Sequence, residues 1–182
     1  RKIFDQVKGE GVRGPYNWEG HLASIQTAQN VFGTGNVATH FIVGLGETEQ
    51  EMLQAIQDVH DLGVTVSLFA FTPVKGTAEQ YREQPPLAQY RKMQFGRELV
   101  VNWEKRVDSF SFLPDGGLEA FNIPEGEFRN IMDAGTAFET RGCPNCNRPY
   151  YDSHPGGAIY NFAALLTEEQ KLEVQNILEP FR

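Results

Sequence analysis

Cys143 and Cys146 are the only two cysteines among 182 residues, and they stand together in Gly142-Cys143-Pro144-Asn145-Cys146. A Cys-x-x-Cys knuckle with proline after its first cysteine lets two thiolates converge on one metal while nearby N–H groups stabilise the sulfurs. The same spacing serves a redox dithiol, but that motif opens a helix after a strand, and Pro149 and Pro155 oppose a helix here. Inert paired thiols are the third reading, and two cysteines separated by only two residues suit no disulfide framework. A structural zinc would need two more ligands, drawn from His21, His40, His60, His154 or carboxylates. An iron–sulfur centre usually takes three or four cysteines, so the others would have to lie outside this chain.

The second candidate is Gly44-Leu45-Gly46-Glu47-Thr48-Glu49. A dinucleotide fingerprint wants a third glycine where Glu49 stands, and Glu47 and Glu49 would repel a pyrophosphate, so that reading is rejected. Two readings stay open: a backbone brought close to a ligand, with Gly44 and Gly46 making room, and a plain tight turn. The four histidines share no metal-like spacing, and His40 reads as a hydrogen-bonded histidine inside a buried strand. Trp18, Phe32, Phe69, Phe71 and Phe95 read as core, and no isolated carboxylate pair demands an acid–base role.

The elements that must position these residues follow from periodicity. Asn17 caps a helix whose apolar positions run Trp18, Leu22, Ile25, Ala28 and Phe32, ending at Gly33 and Gly35. Residues 36–43 are a β-rich run, its apolar residues too continuous for a half-wetted strand, that predicts a buried parallel strand. Thr48 and Glu51 form a capping box before Met52, Leu53, Ile56, Val59 and Leu62, and a second β-rich run covers 64–71. Residues 37–71 are therefore expected as a strand–helix–strand unit with a right-handed crossover. Pro85 and Pro86 open a longer helix, and the pattern then changes to a hairpin around Pro114-Asp115-Gly116-Gly117, a short helix over 125–134 and a last helix opened by Thr167. The fold class is α/β. Its strand–helix half is what a stretch of (β/α) barrel or doubly wound sheet looks like, and both place ligands at the carboxyl ends of strands.

Composition sets the class. Hydrophobic residues make up 40%, enough for a core, and 16 basic against 24 acidic side chains give a net charge of −8, the wrong sign for a phosphate backbone. Neither nucleic acid nor a membrane is expected as a partner: no stretch approaches a membrane span, and no signal peptide is visible. The expected location is the cytoplasm. The chain starts at Arg1 rather than Met and already in helical pattern, which suggests a piece of a longer protein.

The stretch from Arg1 to about Arg97 resembles the second half of the barrel of radical S-adenosylmethionine enzymes of the biotin and lipoyl synthase type. The family pattern G-x-I-x-G-x-x-E, a strand against the adenine of S-adenosylmethionine, is matched by His40-Phe41-Ile42-Val43-Gly44-Leu45-Gly46-Glu47 except that His40 replaces the first glycine. The tail is similar to the C-terminus of two-component lipoyl synthases, through Ala137-Phe138-Glu139-Thr140, Gly142 to Tyr151 and Pro155-Gly156-Gly157. The resemblance implies the second half of a partial (β/α) barrel over 1–106 and a small cysteine-containing extension over 107–182. It implies S-adenosylmethionine at Ile42, Gly44, Gly46 and Glu47, and an auxiliary 4Fe-4S cluster on Cys143 and Cys146 as sulfur source. The radical-type 4Fe-4S cluster needs a C-x-x-x-C-x-x-C loop that this chain lacks, so the chain alone is expected to be inactive, with that loop upstream in a parent enzyme. The implied reaction is sulfur insertion into an unactivated C–H bond of an octanoyl chain on a carrier protein or peptide, alongside a homologous second synthase subunit. A half barrel exposes sheet edges, so a homodimer is also expected. The alternatives are a non-catalytic zinc-knuckle binding module, a biotin-synthase-like enzyme with another substrate, and an ordinary barrel enzyme whose catalytic residues lie upstream.

Overall fold

The computed structural model describes residues 1–140, 152–153 and 156–182. Helices α1 (Lys2–Val7) and α2 (Trp18–Phe32) lead into β1 (Ala38–Val43), α3 (Glu49–Asp61), β2 (Thr65–Ala70) and α4 (Leu87–Asn102). A hairpin of β3 (Ser111–Phe112) and β4 (Leu118–Ala120), then α5 (Glu125–Ala134) and α6 (Glu168–Leu178), complete the chain. The protein is mixed α/β with six helices and two small sheets among the described residues.

Local chemistry explains the boundaries. The Asn17 side chain accepts the Gly20 N–H at the start of α2. Thr48 and Glu51 make the reciprocal capping box of α3, and Thr167 and Gln170 repeat it at α6, each satisfying two N–H groups that a helix start leaves orphaned. Strands β1 and β2 pair in parallel from Ala38 opposite Thr65 to Val43 opposite Ala70, with α3 as crossover.

Helices cover one face of this pair. Val43, Val66, Leu68 and Ala70 face Met52, Leu53, Ile56, Tyr90 and Met93 in a core that runs on through Phe95, Phe121, Phe128, Phe138 and Leu178. Gly96 on α4 permits that packing, because a Cβ there would fall 2.4 Å from Leu53. The hairpin tip docks on the start of α3. Gly116, at φ +84°, leaves only 2.7 Å for a Cβ beside Thr48, its carbonyl accepts the Gln50 N–H, and Leu118 donates its N–H to Glu49, which also pairs with Lys92. Residues on both sides of position 106 thus share one core.

Strand β1 departs from the buried strand expected. Only Val43 is buried, and burial alternates along the rest. A continuous apolar run looks the same whether one or both faces are covered; here β1 has one strand neighbour and helices on one side only. His40 is correspondingly exposed, its ring stacked on Phe69 at 4.8 Å and 6°, instead of hydrogen-bonded in a core. Phe32, expected inside, is 64% exposed at the end of α2, whose buried residues are Ile25 and Gln29. Among the described residues no helix is long and apolar enough to cross a membrane.

Candidate functional site

The carboxyl end of β1 runs directly into the Gly44–Glu47 turn. Gly44 and Gly46 have φ of +103° and +104°, a region closed to most side chains. Glu47 folds back over the turn it follows, one carboxylate oxygen accepting the Gly44 N–H at 2.7 Å and the other the Leu45 N–H at 2.9 Å. Against this turn lies Pro85, so close that a Cβ on Gly44 would sit 2.9 Å from its ring. The backbone freedom that the glycines supply is therefore used: the turn needs positive φ at two positions, and the proline occupies the space of a side chain at the first.

A cleft of about 500 Å³ opens beside it, lined by Gly44, Gly46, Glu47, Arg82, Gln84 and Gln89 with the neighbouring prolines. Arg82 is held by Glu79 at 2.6 Å. Ile42 stands apart from this lining, 43% exposed on the uncovered sheet face that also carries His40. Of the four residues matched to the S-adenosylmethionine pattern, the structure thus gathers Gly44, Gly46 and Glu47 and leaves Ile42 on the strand below.

The outer edge of β2 is closed by side chains. The Val66 carbonyl accepts from Arg97 Nε at 2.6 Å, the Leu68 carbonyl from the Tyr90 hydroxyl at 2.9 Å, and the Ala70 N–H donates to Asp152 Oδ2 at 3.0 Å. These are groups a further strand would need, and among the described residues the sheet has no strand beyond β2. Asp152 Oδ2 also accepts Asn161 Nδ2 at 2.8 Å, and that amide reaches Tyr90 as well. Arg91, 2% exposed, donates to the carbonyls of Ile159 and Tyr160 and to Gln94, and lies 4.7 Å over the Phe162 ring. The Tyr160 hydroxyl donates to the Pro85 carbonyl at 2.7 Å.

Burial dominates the electrostatics of this cluster. It raises the Asp152 carboxyl above its usual range, pulls the Arg91 guanidinium down to about 10, and raises the Tyr160 hydroxyl. It also lifts the Tyr90 hydroxyl above its ordinary value, with the Asp152 charge adding to the effect.

Cys143 and Cys146 lie outside the described residues. The limbs that lead to and from them do not. Thr140 donates its N–H to the Phe162 carbonyl, and Phe162 donates to Phe138. Asp152, on the other limb, is bonded to Asn161. Both limbs are thus tied at two consecutive residues, and Gln84 of the cleft donates to the Asp152 carbonyl at 3.2 Å and to the Thr72 hydroxyl.

No family model, curated protein or solved structure matches this chain. Among the described residues no three His, Cys, Asp or Glu side chains are grouped to hold a metal ion. Sequence reasoning did not single out Asp152, Asn161, Arg91 or Gln84. A buried Arg on an otherwise apolar helix face was the available signal, since full burial of a guanidinium demands several acceptors.

Proposed function

We propose that this chain is part of a radical S-adenosylmethionine sulfurtransferase that inserts sulfur into an unactivated C–H bond, that of a protein-bound octanoyl chain fitting best. One observation carries the reading: the same strand ends hold the Gly44–Glu47 cleft and, through Asp152 and Gln84, the base of the segment with the two cysteines. A sulfur-insertion site needs a nucleoside-bearing cofactor and a thiolate-held centre within reach of one carbon, and what supports that reading is that Asp152, six residues after Cys146, is tied to the strand end beside the cleft.

The residues suit the two groups. A cleft of about 500 Å³ falls within the ~300–1,000 Å³ of small-molecule sites. Its glycines let backbone approach a flat base, and Gln89 and Arg82 offer side-chain donors. Two thiolates are soft donors of the type that binds iron–sulfur centres and zinc. When bound, S-adenosylmethionine supplies hydrogen abstraction and the auxiliary cluster supplies sulfur.

The chain's own contribution is positional. Glu47 acts on the turn, accepting two of its N–H groups and so holding Gly44 and Gly46, which bring no side chain to their part of the cleft wall. Pro85 buttresses that wall and is itself held by Tyr160. The apolar face under β1 and β2 keeps the strand ends rigid, which a reactive intermediate requires of the walls that shield it from water.

The test is Cys143→Ser in the intact protein, assayed for sulfur insertion and for S-adenosylmethionine cleavage. Loss of insertion with cleavage still measurable is expected. Loss of both together would assign the cysteines a purely structural role.

A further inference from the structure

We propose that the free edge of β1 is a self-association surface. A second copy of this chain pairs with it antiparallel, about a two-fold axis at His40, and joins the two β1–β2 pairs into one sheet of four strands. The pairing needs no S-adenosylmethionine or cysteine chemistry.

The two edges of the β1–β2 pair differ. That of β2 is occupied, its Val66 and Leu68 carbonyls and Ala70 N–H taken by Arg97, Tyr90 and Asp152. In β1 the flanking Val37 and Val43 carbonyls accept from Thr65 and Phe71. Both backbone groups of a residue in a parallel ladder point the same way, so Thr39 and Phe41 also face β2, while Ala38, His40 and Ile42 turn their N–H and C=O groups outward. Among the described residues nothing takes these outward groups, and all three residues are exposed. Strand edges are commonly guarded by lysine, proline, a bulge or an inward-pointing charge. Ala38–Val43 holds none of them.

Charge selects the occupant. The chain carries a net charge of −8 and 22% of its residues are charged, so two copies repel over most of their surface. Residues 20–46, which cover most of α2 and all of β1, contain no Asp, Glu, Lys or Arg. Within that stretch Val31 is 70% exposed, with Phe32 and Ile42 exposed beside it in the sequence. Depletion of charge around exposed apolar side chains marks the centre of protein interfaces, and it lets two equally charged copies meet without setting like charges against each other.

The outward groups fix the register. A two-fold axis maps positions 38, 40 and 42 onto themselves when His40 lies opposite the second copy's His40 and Ala38 opposite the second copy's Ile42. Each such pair exchanges two N–H···O=C bonds, so no outward group is left over. The side chains at these positions share the helix-free face, where Ile42 and the His40–Phe69 stack continue across the junction. The two clefts then lie at opposite ends of the joined sheet.

Light scattering and sedimentation of the full chain over a concentration series read the association, with circular dichroism as the folding control for each variant. The mass is expected to rise with concentration from 20.5 kDa to twice that value. Ile42→Lys, at an exposed position, is expected to weaken the dimer about tenfold. His40→Pro, which removes an outward N–H and leaves the β1–β2 ladder its bonds, is expected to do the same. Ala38→Glu added to Ile42→Lys sets opposite charges across the junction and is expected to recover most of the loss, since within one strand the two positions are about 13 Å apart. A chain that stays at 20.5 kDa at every concentration overturns the proposal and leaves the edge to a strand of another polypeptide. A dimer that is indifferent to Ile42→Lys and His40→Pro overturns the assignment to β1, and a double variant as weak as Ile42→Lys overturns the register.

Discussion

The backbone N–H of Ala70, last residue of β2, is donated to the carboxylate of Asp152, 82 positions later in the chain and 3.0 Å away. It places Asp152 at the strand end where small-molecule sites of α/β folds form.

Its titration follows from burial. The Asp152 carboxyl is raised above its ordinary 3.8 by desolvation, against the Ala70 and Asn161 hydrogen bonds and the Arg91 charge that favour ionisation. The folded state therefore binds this proton more tightly than the unfolded chain. The stability it contributes is greatest below 3.8 and declines as pH rises through the raised folded value, then levels off. Urea unfolding of wild type and Asp152→Asn from about pH 4 to about pH 7 should show the wild type losing stability relative to the variant. A difference that stays flat contradicts it.

Arg91 is a second buried charge with a structural task. Replacing it by Met leaves the Ile159 carbonyl without its donor and the Tyr160 carbonyl with Gln94 alone, an expected loss of about 2–4 kcal/mol in denaturant unfolding. Arg91→Lys should recover little, since a point ammonium cannot span Ile159, Tyr160 and Gln94 as the guanidinium fork does. Full recovery by Lys would show that charge alone suffices.

The two glycines of the turn should differ. Alanine at Gly44 meets both positive φ and the Pro85 ring at 2.9 Å, whereas at Gly46 the nearest atom is Arg82 at 3.5 Å and only φ opposes it. Gly46→Ala is expected to cost about 1 kcal/mol and Gly44→Ala about 2–3 kcal/mol. Equal losses would mean that Pro85 yields freely.

Glu47→Ala exposes the Gly44 and Leu45 N–H groups and loosens the turn, at about 1–3 kcal/mol. Calorimetric titration with S-adenosylmethionine should show weaker binding in this variant; unchanged affinity would remove the Gly44–Glu47 turn from the cleft's function.

Much of the fold was legible in the sequence because its signals are local. Asn17, the Thr48–Glu51 and Thr167–Gln170 boxes, Pro86 and the glycine-bounded strands each act within a few residues, and the elements they predict are present. Exposure of His40 and Phe32 was not legible, because it depends on which faces are left uncovered, a property of the assembled layers. The turn at Gly44 was readable as a close approach, but the approaching atom, Pro85, is 41 positions away and served in the sequence only as a helix start. The Asp152 frame was invisible for the same reason: Ala70, Tyr90, Arg91 and Asn161 carry no shared spacing, and only the packing of α4 against β2 brings them together.

Whether the two cysteines hold an iron–sulfur centre is read most directly from the iron, zinc and acid-labile sulfide content of the protein prepared without oxygen, beside its Cys143→Ser/Cys146→Ser variant. The expected result is iron with sulfide in the wild type and loss of one cluster's worth in the variant. Zinc without sulfide, lost in the variant, would contradict it and make the knuckle structural.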